Sequence, residues 1–230
     1  MAALTDTCYL CGRPVAGDCS RDHIPPLQFF PPSVRQQVNL AKLVTLPAHP
    51  ECNRAYGLDE EYFVWSLSPL AVDSTAGRAM MGDIAKKFRS GRNVPLGNKV
   101  LREFVARPSG LILPHGKIIK RLDGARIKRV VWKIVRGLYF LENGEVLPEA
   151  TTFWVELIGP HEEEDSDLSG LWEHVKAQPS KGEYRGAFDY KYLDAQADSV
   201  RVHAWGMLLW DRIMVFVGHW HPGEQAEAAT

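Results

Sequence analysis

Two pairs of metal-binding residues, each with two residues between its members, constrain this chain more than any other feature of its sequence. Cys8 and Cys11 form the first pair, and His49 and Cys52 form the second about 40 residues later. Thiolates and imidazoles at this spacing are typical of tetrahedral zinc sites, in which four protein ligands surround one ion. We therefore predict a Cys3His zinc site that ties together two loops with little core of their own. Cys19 is the alternative fourth ligand.

The composition of the 230-residue chain limits the kinds of cellular environment in which it is expected to fold. The chain is 45% hydrophobic and 24% charged, which is typical of globular proteins. No apolar run approaches the roughly 18 residues of a membrane helix, and the first residues lack the pattern of a signal peptide. We therefore expect a soluble, cytoplasmic protein, in which a Cys-x-x-Cys pair favours metal or redox chemistry over disulfides.

Apolar periodicity predicts an α+β fold. Residues at helical spacing indicate helices over 53–67, 78–89, 98–106, 125–136 and 168–177. Short β-rich runs indicate strands over 43–46, 151–158, 186–192, 200–209 and 212–218, the last two joined by a hairpin at Trp210-Asp211. We expect a zinc-bound unit in residues 1–70, followed in residues 71–230 by helices and a mainly antiparallel sheet.

Charge is distributed unevenly along the chain, although the formal net charge is only −1. Residues 86–136 contain 15 lysines and arginines against two acids, whereas the part after residue 136 contains six against 17. The basic segment predicts a surface for a polyanion, with Arg129, Lys133 and Arg136 on one helix face as nucleic-acid contacts. The alternative is that basic helices pair with acidic strands inside one fold.

A further motif lies between the two ligand pairs. The order is Cys-x-x-Cys-Gly, then Asp22-His23-Ile24-Pro25-Pro26, then a β-prone run that leads into His-Pro-Glu-Cys-Asn. Over residues 8–63, about a quarter of the chain, this order resembles the HNH endonucleases, also called ββα-metal or His-Me finger nucleases. It is most similar to bacterial members in which two zinc knuckles flank the nuclease hairpin.

The resemblance implies a role for each residue of the motif. His23 takes the place of the general base that activates a water against the phosphodiester, a task that suits a neutral imidazole. Asp22 and Asn53 take the places of the ligands that hold a catalytic Mg²⁺ or Mn²⁺ ion. Arg54, directly after Asn53, is the candidate for a phosphate contact.

The chain departs from the family pattern at three positions. His49 stands where cysteine is usual, and it is an acceptable zinc ligand. Lys42 stands where the family's middle asparagine precedes the second strand, and Asn39 lies three residues earlier. The basic residue usually found a few positions after the closing asparagine is absent, so Arg54 is the substitute.

Several other polar or aromatic residues have ordinary structural interpretations that we favour. His219 and His221 look like a metal-binding pair, but a surface turn is expected there. Trp132 could stack on a base, but burial against the strands is the commoner outcome. We expect the acidic residues 59–61 to be solvated or to favour the dipole of their helix, and the acidic loop 161–167 to be solvated.

Two functions of different classes follow from these features. The first is a metal-dependent endonuclease that hydrolyses nucleic acid, with DNA favoured over RNA and defence against phage or plasmid DNA as its setting. The second is a non-catalytic zinc module that binds nucleic acid or a protein partner, with His23 as a relic. The C-terminal strands are open to a protein partner or a regulatory ligand.

Overall fold

The computed structural model describes most of the chain. The described residues are 6–15, 17, 19–37, 43–105, 118–148, 151–160, 169–182, 184, 186–197 and 200–220. They form a mixed α+β structure of helices and antiparallel strands, as the sequence predicts. The predicted acidic loop 161–167, together with Asn39, Lys42 and His221, lies outside the described residues.

The N-terminal part is built on a short antiparallel hairpin. Strand β1, Ser20–His23, pairs with β2, Thr45–Ala48, so that Asp22 lies opposite Leu46. A 3₁₀ turn at Leu27–Phe29 and helix α1, Pro32–Gln37, follow β1. Helix α2, Pro50–Arg54, follows β2 directly, with Pro50 at its start, where a missing amide hydrogen has no cost.

Three helices follow and pack against this hairpin region. They are α3, Gly57–Leu67, α4, Thr75–Arg89, and α5, Val94–Arg102. The first two agree with the predicted spans, whereas α5 ends early and is followed by β3, Phe104–Val105, which pairs with β4, Ile119–Lys120. Asn93 precedes α5 with φ 58°, a left-handed conformation that asparagine tolerates better than most residues.

The central element is helix α6, Gly124–Asn143. Asp123 caps its start by accepting a hydrogen bond from the Arg126 amide, and Gly144 ends it with φ 72°. The helix continues past the predicted end at residue 136 because Leu138, Tyr139 and Phe140 are buried and extend its apolar face.

A four-stranded antiparallel sheet forms the C-terminal part. Its strands are β5, Thr152–Ile158, β6, Phe188–Ala197, β7, Val200–Leu209, and β8, Ile213–Trp220, in the spatial order β5-β8-β7-β6. The predicted hairpin is confirmed, with positive φ values of 50° at Trp210 and 56° at Asp211. The Trp210 indole is buried, and its Nε1 donates to the Phe29 carbonyl at 3.0 Å, which joins the hairpin to the N-terminal part.

The sheet lies between two helices. Trp132 of α6 stacks on Phe153 at a ring distance of 4.0 Å, so the expected packing of Trp132 against the strands is confirmed. On the other face, Trp172 of α7, Ser169–Lys176, contacts Phe216 at 4.9 Å. The larger hydrophobic cluster contains buried residues from both sides of residue 70, and the domain boundary there stays a prediction.

The described helices were also assessed as membrane segments. None of them is both long and apolar enough to cross a bilayer.

Candidate functional site

The four predicted zinc ligands lie together beside the hairpin. The sulfur atoms of Cys8, Cys11 and Cys52 and a ring nitrogen of His49 all lie within 4.8 Å of one another. Cys11 Sγ is 3.3 Å from His49 Nδ1, and Cys52 Sγ is 4.0 Å from the same nitrogen. Ligands on a tetrahedral zinc with Zn–S bonds of ~2.3 Å are about 3.8 Å apart, so this spacing fits the ion. The Cys3His cluster could therefore bind a metal such as zinc.

Each ligand pair owes its position to local backbone structure. In the first pair, the Gly12 amide donates to the Cys8 carbonyl at 2.8 Å, and Gly12 has φ 71°, which favours glycine. In the second pair, His49 is the N-cap residue of α2 and Cys52 lies within that helix. One tight turn and one helix start thus aim all four ligands at a common point.

His49 is held in the tautomer that a metal ligand needs. Its Nε2 is 3.1 Å from the Pro14 carbonyl oxygen, which can only accept a hydrogen bond. Nε2 therefore carries the ring hydrogen, and Nδ1 presents its lone pair to the three sulfur atoms. A carbonyl that orients the second nitrogen is a common feature of metal-bound histidines.

The thiol acidities also indicate that the cluster needs a cation. Burial raises the pKa of Cys11, but hydrogen bonds from Arg13 and the neighbouring ligands outweigh it and bring that pKa to about 6. Burial and the negative charge of the neighbouring thiolates raise the pKa of Cys52 to about 12. Three thiolates at this distance repel one another, and a divalent ion removes that repulsion.

Cys19, the alternative fourth ligand, does not join the cluster. Its exposed sulfur contacts the Ser20 carbonyl at 3.6 Å. Within the described residues, the metal-ligating group is made of the four predicted residues and does not include Cys19.

The residues assigned to catalysis lie on the hairpin and on α2. Asp22 and His23 end β1, and Asn53 lies on α2. The Asn53 carboxamide fits between two partners: its oxygen accepts from Ser20 Oγ at 2.8 Å, and its nitrogen donates to Asp22 Oδ1 at 3.1 Å. Asp22 and Asn53 therefore come together as the resemblance implies.

A buried lysine ammonium lies at the centre of this group. Lys133 of α6 has no exposed side-chain surface, and its Nζ is 2.8 Å from Asp22 Oδ2. The same ammonium pairs with Glu60 Oε1 of α3, and the Asn53 carboxamide reaches within 3.5 Å of it. The Tyr9 hydroxyl completes the group by donating to Asp22 Oδ2 at 2.6 Å. We call these five residues the lysine centre.

A divalent ion held by Asp22 and Asn53 does not fit this arrangement. The Asp22 carboxylate already accepts from Tyr9 and pairs with Lys133, and the Asn53 oxygen faces Ser20 instead of an ion. A Mg²⁺ or Mn²⁺ ion there would lie against an ammonium that has no solvent to screen it. The donor set does not support the expected catalytic ion.

His23 lies at the edge of the lysine centre and is half-buried. Burial lowers the pKa of its imidazole below the ordinary value, and the charges of Arg35 and Lys133 lower it further against the opposing effect of Asp22. The side chain is therefore neutral near pH 7. A neutral, partly accessible imidazole has the protonation state that a general base requires.

Comparison with protein-family models, with curated proteins and with solved structures finds no match. The resemblance of residues 8–63 to the HNH endonucleases therefore stays a prediction from the sequence.

The basic residues assigned to nucleic acid on α6 differ in exposure, since Lys133 is buried, Arg136 is half-buried and Arg129 is exposed. Lys133 is buried in the lysine centre, and Arg136 donates to the Leu10 carbonyl in the first zinc turn. Arg129 Nη1 pairs with Asp59 at 2.6 Å and lies over the Tyr56 ring. The expectation that these three side chains form a phosphate-binding face is wrong for Lys133, which is buried, and it stays a prediction for Arg129 and Arg136.

The alternative interpretation of the charge pattern is that basic helices pair with acidic strands inside one fold. Ion pairs do form, but the acidic partners are not on the C-terminal strands. The basic residues of α6 do pair with acids, but with Asp22, Asp59 and Glu60 of the N-terminal part rather than with the acidic strands. Asp59 and Glu60 are buried, so the expectation that they are solvated is also wrong.

Exposed positive charge lies elsewhere on the surface. A cleft of about 550 Å³ is lined by the basic residues Arg35, Lys86 and Lys87 and by the acidic residues Glu61 and Asp83, and Arg89 follows at the exposed end of α4. Arg54 is exposed on α2, where it remains available for a phosphate contact.

His219 is not in a surface turn as predicted. It lies fully buried on β8, opposite His203 of β7, with their rings stacked at 4.9 Å. Tyr139 of α6 contacts the edges of both rings. The described half of the predicted histidine pair is therefore part of the packed interface between α6 and the sheet.

Three residues of the lysine centre were not predicted to act there: Tyr9, Glu60 and Lys133. One sequence signal was available for Lys133. It falls on the same helix face as Val130 and Gly137, both buried, at spacings of three and four residues. A lysine in an apolar row of a long helix indicates a buried ion pair, but its partner is not visible in the sequence.

Proposed function

We propose that this chain is an HNH-type endonuclease that hydrolyses phosphodiester bonds, with DNA as the favoured substrate. One observation carries the proposal: beside the Cys3His cluster, Asn53 of α2 donates a hydrogen bond to Asp22, and His23 follows Asp22 at the end of β1. This is the combination that the order of motifs in residues 8–63 implies. The four cysteines are free thiols, which suits zinc binding in a reducing cytoplasm.

In this proposal His23 supplies the base. Its neutral imidazole takes a proton from a water molecule as the water oxygen attacks phosphorus, and the P–O bond to the leaving nucleotide oxygen breaks. That oxygen then gains a proton from solvent. Asp22 acts as a positioning residue, because its bonds to Tyr9 and Lys133 fix the end of β1 that carries His23. The divalent ion implied by the resemblance takes no part in this sequence.

The substrate-binding surface in this proposal is the exposed basic end of α4. Lys86 and Lys87 line the cleft that also contains Arg35, and Arg35 is close enough to lower the pKa of His23. A nucleic acid held by these charges would pass near the imidazole. Attraction between such a surface and the phosphate backbone depends little on base sequence.

A second candidate is a non-catalytic zinc module that binds nucleic acid or a protein. The lysine centre favours it, because Asp22 is already paired with Lys133 and the Asn53 oxygen accepts from Ser20. In that case His23 is a residue of the hairpin edge without a chemical role.

Cleavage of plasmid DNA by the purified zinc-loaded chain tests the proposal. We expect cleavage by the parent and a loss of 10²–10⁴-fold in His23→Ala, the usual contribution of a general base. The matched control is His174→Ala, since His174 is an exposed histidine on α7. Reactions are run without added divalent ion, with Mg²⁺ and with Mn²⁺.

Two results would reject the nuclease. One is a parent protein that leaves DNA and RNA intact under all three conditions. The other is a His23→Ala variant that keeps its zinc and cuts as fast as the parent. Either result makes the binding module the better description.

A further inference from the structure

The lysine centre has the donor chemistry of a site for a hard cation. It offers the carboxylates of Asp22 and Glu60 and the hydroxyl of Tyr9, and the amide nitrogen of Asn53 lies beside them. Oxygen donors of this kind are the ones that Mg²⁺ and Mn²⁺ prefer. The cation that the structure puts among them is the Lys133 ammonium.

We propose that Lys133 is a built-in cation that takes the place of a divalent ion at this site, so that the native chain does not bind Mg²⁺ or Mn²⁺ through Asp22. The comparison with a nuclease ion site rests on the proposed function. The exclusion of metal is a property of the lysine centre and can be measured without reference to cleavage.

Position is the first argument for this role. The ammonium pairs with both carboxylates of the centre and lies within 3.5 Å of the Asn53 carboxamide. A bound ion that used Asp22 and Asn53 as ligands would need the same space. Because the two cations repel each other in a region without solvent, the site holds one or the other.

The fixed position of α6 is the second argument. Arg129 pairs with Asp59 one turn before Lys133, and Arg136 bonds the Leu10 carbonyl one turn after it. Gly137 lies one turn after Lys133, and its backbone packs directly against Ile24, the residue that follows β1. A Cβ added at Gly137 would lie 2.5 Å from Ile24 Cδ1. Lys133 therefore cannot leave the centre unless α6 separates from the N-terminal part.

The total charge is the third argument. Asp22 and Glu60 are both acidic, and with no cation they would repel each other in a buried region. The ammonium offsets one of the two negative charges, and Gln28 Nε2 donates a hydrogen bond to Glu60 Oε2 at 3.3 Å. Together these interactions reduce the electrostatic demand for an added ion.

Binding of Mn²⁺ to the full zinc-loaded chain, measured by electron paramagnetic resonance, tests the proposal. We expect the parent and Asp22→Asn to give the same weak, unsaturated binding at millimolar Mn²⁺. Lys133→Ala should bind one Mn²⁺ at least tenfold more tightly than the parent, and Lys133→Ala/Asp22→Asn should lose that gain. The matched control is Lys128→Ala, because Lys128 is an exposed lysine on the same helix.

Removal of the ammonium leaves two buried carboxylates, and Lys133→Ala can fail to fold for that reason. Thermal unfolding with and without Mn²⁺ covers this case, since Mn²⁺ should raise the melting temperature of Lys133→Ala and leave that of Lys128→Ala unchanged. If Lys133→Ala does not fold even with Mn²⁺, the comparison of the parent with Asp22→Asn decides the matter, and equal binding upholds the proposal.

The proposal is overturned if the parent binds Mn²⁺ in a way that Asp22→Asn abolishes, or if folded Lys133→Ala gains no site. Cleavage is scored separately. A parent that binds no Mn²⁺ through Asp22 and cuts no DNA keeps this inference and loses the nuclease. A parent whose cleavage needs Mn²⁺ and Asp22 keeps the nuclease and loses this inference.

Discussion

The Cys3His cluster and the lysine centre lie side by side in the N-terminal part. Both bring together groups that carry negative charge, but the cation that balances this charge differs between them. Cys8, Cys11, His49 and Cys52 converge on one point where a metal ion could bind, with Arg13 at the edge of the cluster, where it hydrogen-bonds the exposed Cys11. The carboxylates of Asp22 and Glu60 converge on an ammonium that the chain itself supplies. The first cluster could bind a metal ion, whereas the second is paired within the chain once α6 has docked.

Sequence distance explains why the two clusters differ. The zinc ligands all come from the first 52 residues, on a turn and a helix start that cannot bury enough apolar surface to hold themselves together. The lysine centre draws Tyr9, Asp22 and Glu60 together with a residue of a 20-residue helix far along the chain. A long-range partner can substitute for an ion where a local loop cannot.

Loss of zinc should have the largest effect. Cys11→Ala should lose the ion and unfold the region around the hairpin, because binding of structural zinc contributes roughly 10–16 kcal/mol to the folding of small zinc domains. Metal analysis and hydrogen exchange of the hairpin amides measure the two changes. Cys19→Ala is the control and should keep both zinc and protection. A well-folded parent that contains no zinc would contradict the prediction.

Loss of the ammonium should come next. Lys133→Ala should lower the free energy of unfolding in urea by about 3–5 kcal/mol, the usual cost of leaving a buried charge without its partner. Lys128→Ala, on the exposed side of α6, should change it by less than about 0.5 kcal/mol. Equal stability of the two variants would mean that the lysine centre does not hold α6 in place.

Removal of basic residues should affect DNA binding when they lie on α4 and stability when they lie on α6. Lys86→Gln/Lys87→Gln/Arg89→Gln should weaken DNA binding for all sequences and reduce the salt slope by about 0.9 per lost phosphate contact. Arg129→Gln/Arg136→Gln should lower stability and leave the salt slope nearly unchanged, because these side chains bond Asp59 and Leu10. Titrations across a salt series would contradict this assignment if the second variant lost the larger slope.

The pH dependence of cleavage is the smallest expected effect. Since burial lowers the pKa of His23 below the ordinary 6.5, the basic form is already dominant at neutral pH. Activity should therefore rise as pH increases through the acidic range and level off at a lower pH than it would with an unperturbed histidine. A rate that continues to climb tenfold per pH unit above neutrality would assign the titrating group to something other than this imidazole.

The zinc cluster could be predicted from the sequence because its information is local. The spacing of Cys8 with Cys11, and of His49 with Cys52, limits the geometry before any tertiary contact is known. Even the choice between His49 and Cys19 followed from the symmetry of the two pairs. The strands and the hairpin at Trp210-Asp211 were predictable for a similar reason, since β-rich runs and turns are short-range patterns.

The lysine centre could not be predicted because net charge says nothing about which way a side chain points. Lys133 was counted with Arg129 and Arg136 as part of one basic face, and all three do lie on one side of α6. That side faces Asp22, Asp59 and Glu60 of a segment more than 60 residues earlier. The pairing exists only in the tertiary structure, where α6 crosses both α3 and the hairpin.

The docking of α6 bears on how such a protein can change over generations. A fragment ending at residue 70 would keep all four zinc ligands but leave Asp22 and Glu60 without Lys133. Transfer of that fragment alone to another gene would therefore separate Asp22 and Glu60 from the lysine that pairs with them. Its inheritance is linked to that of α6, and replacement of Lys133 by a neutral residue would persist only alongside a compensating change at position 22 or 60.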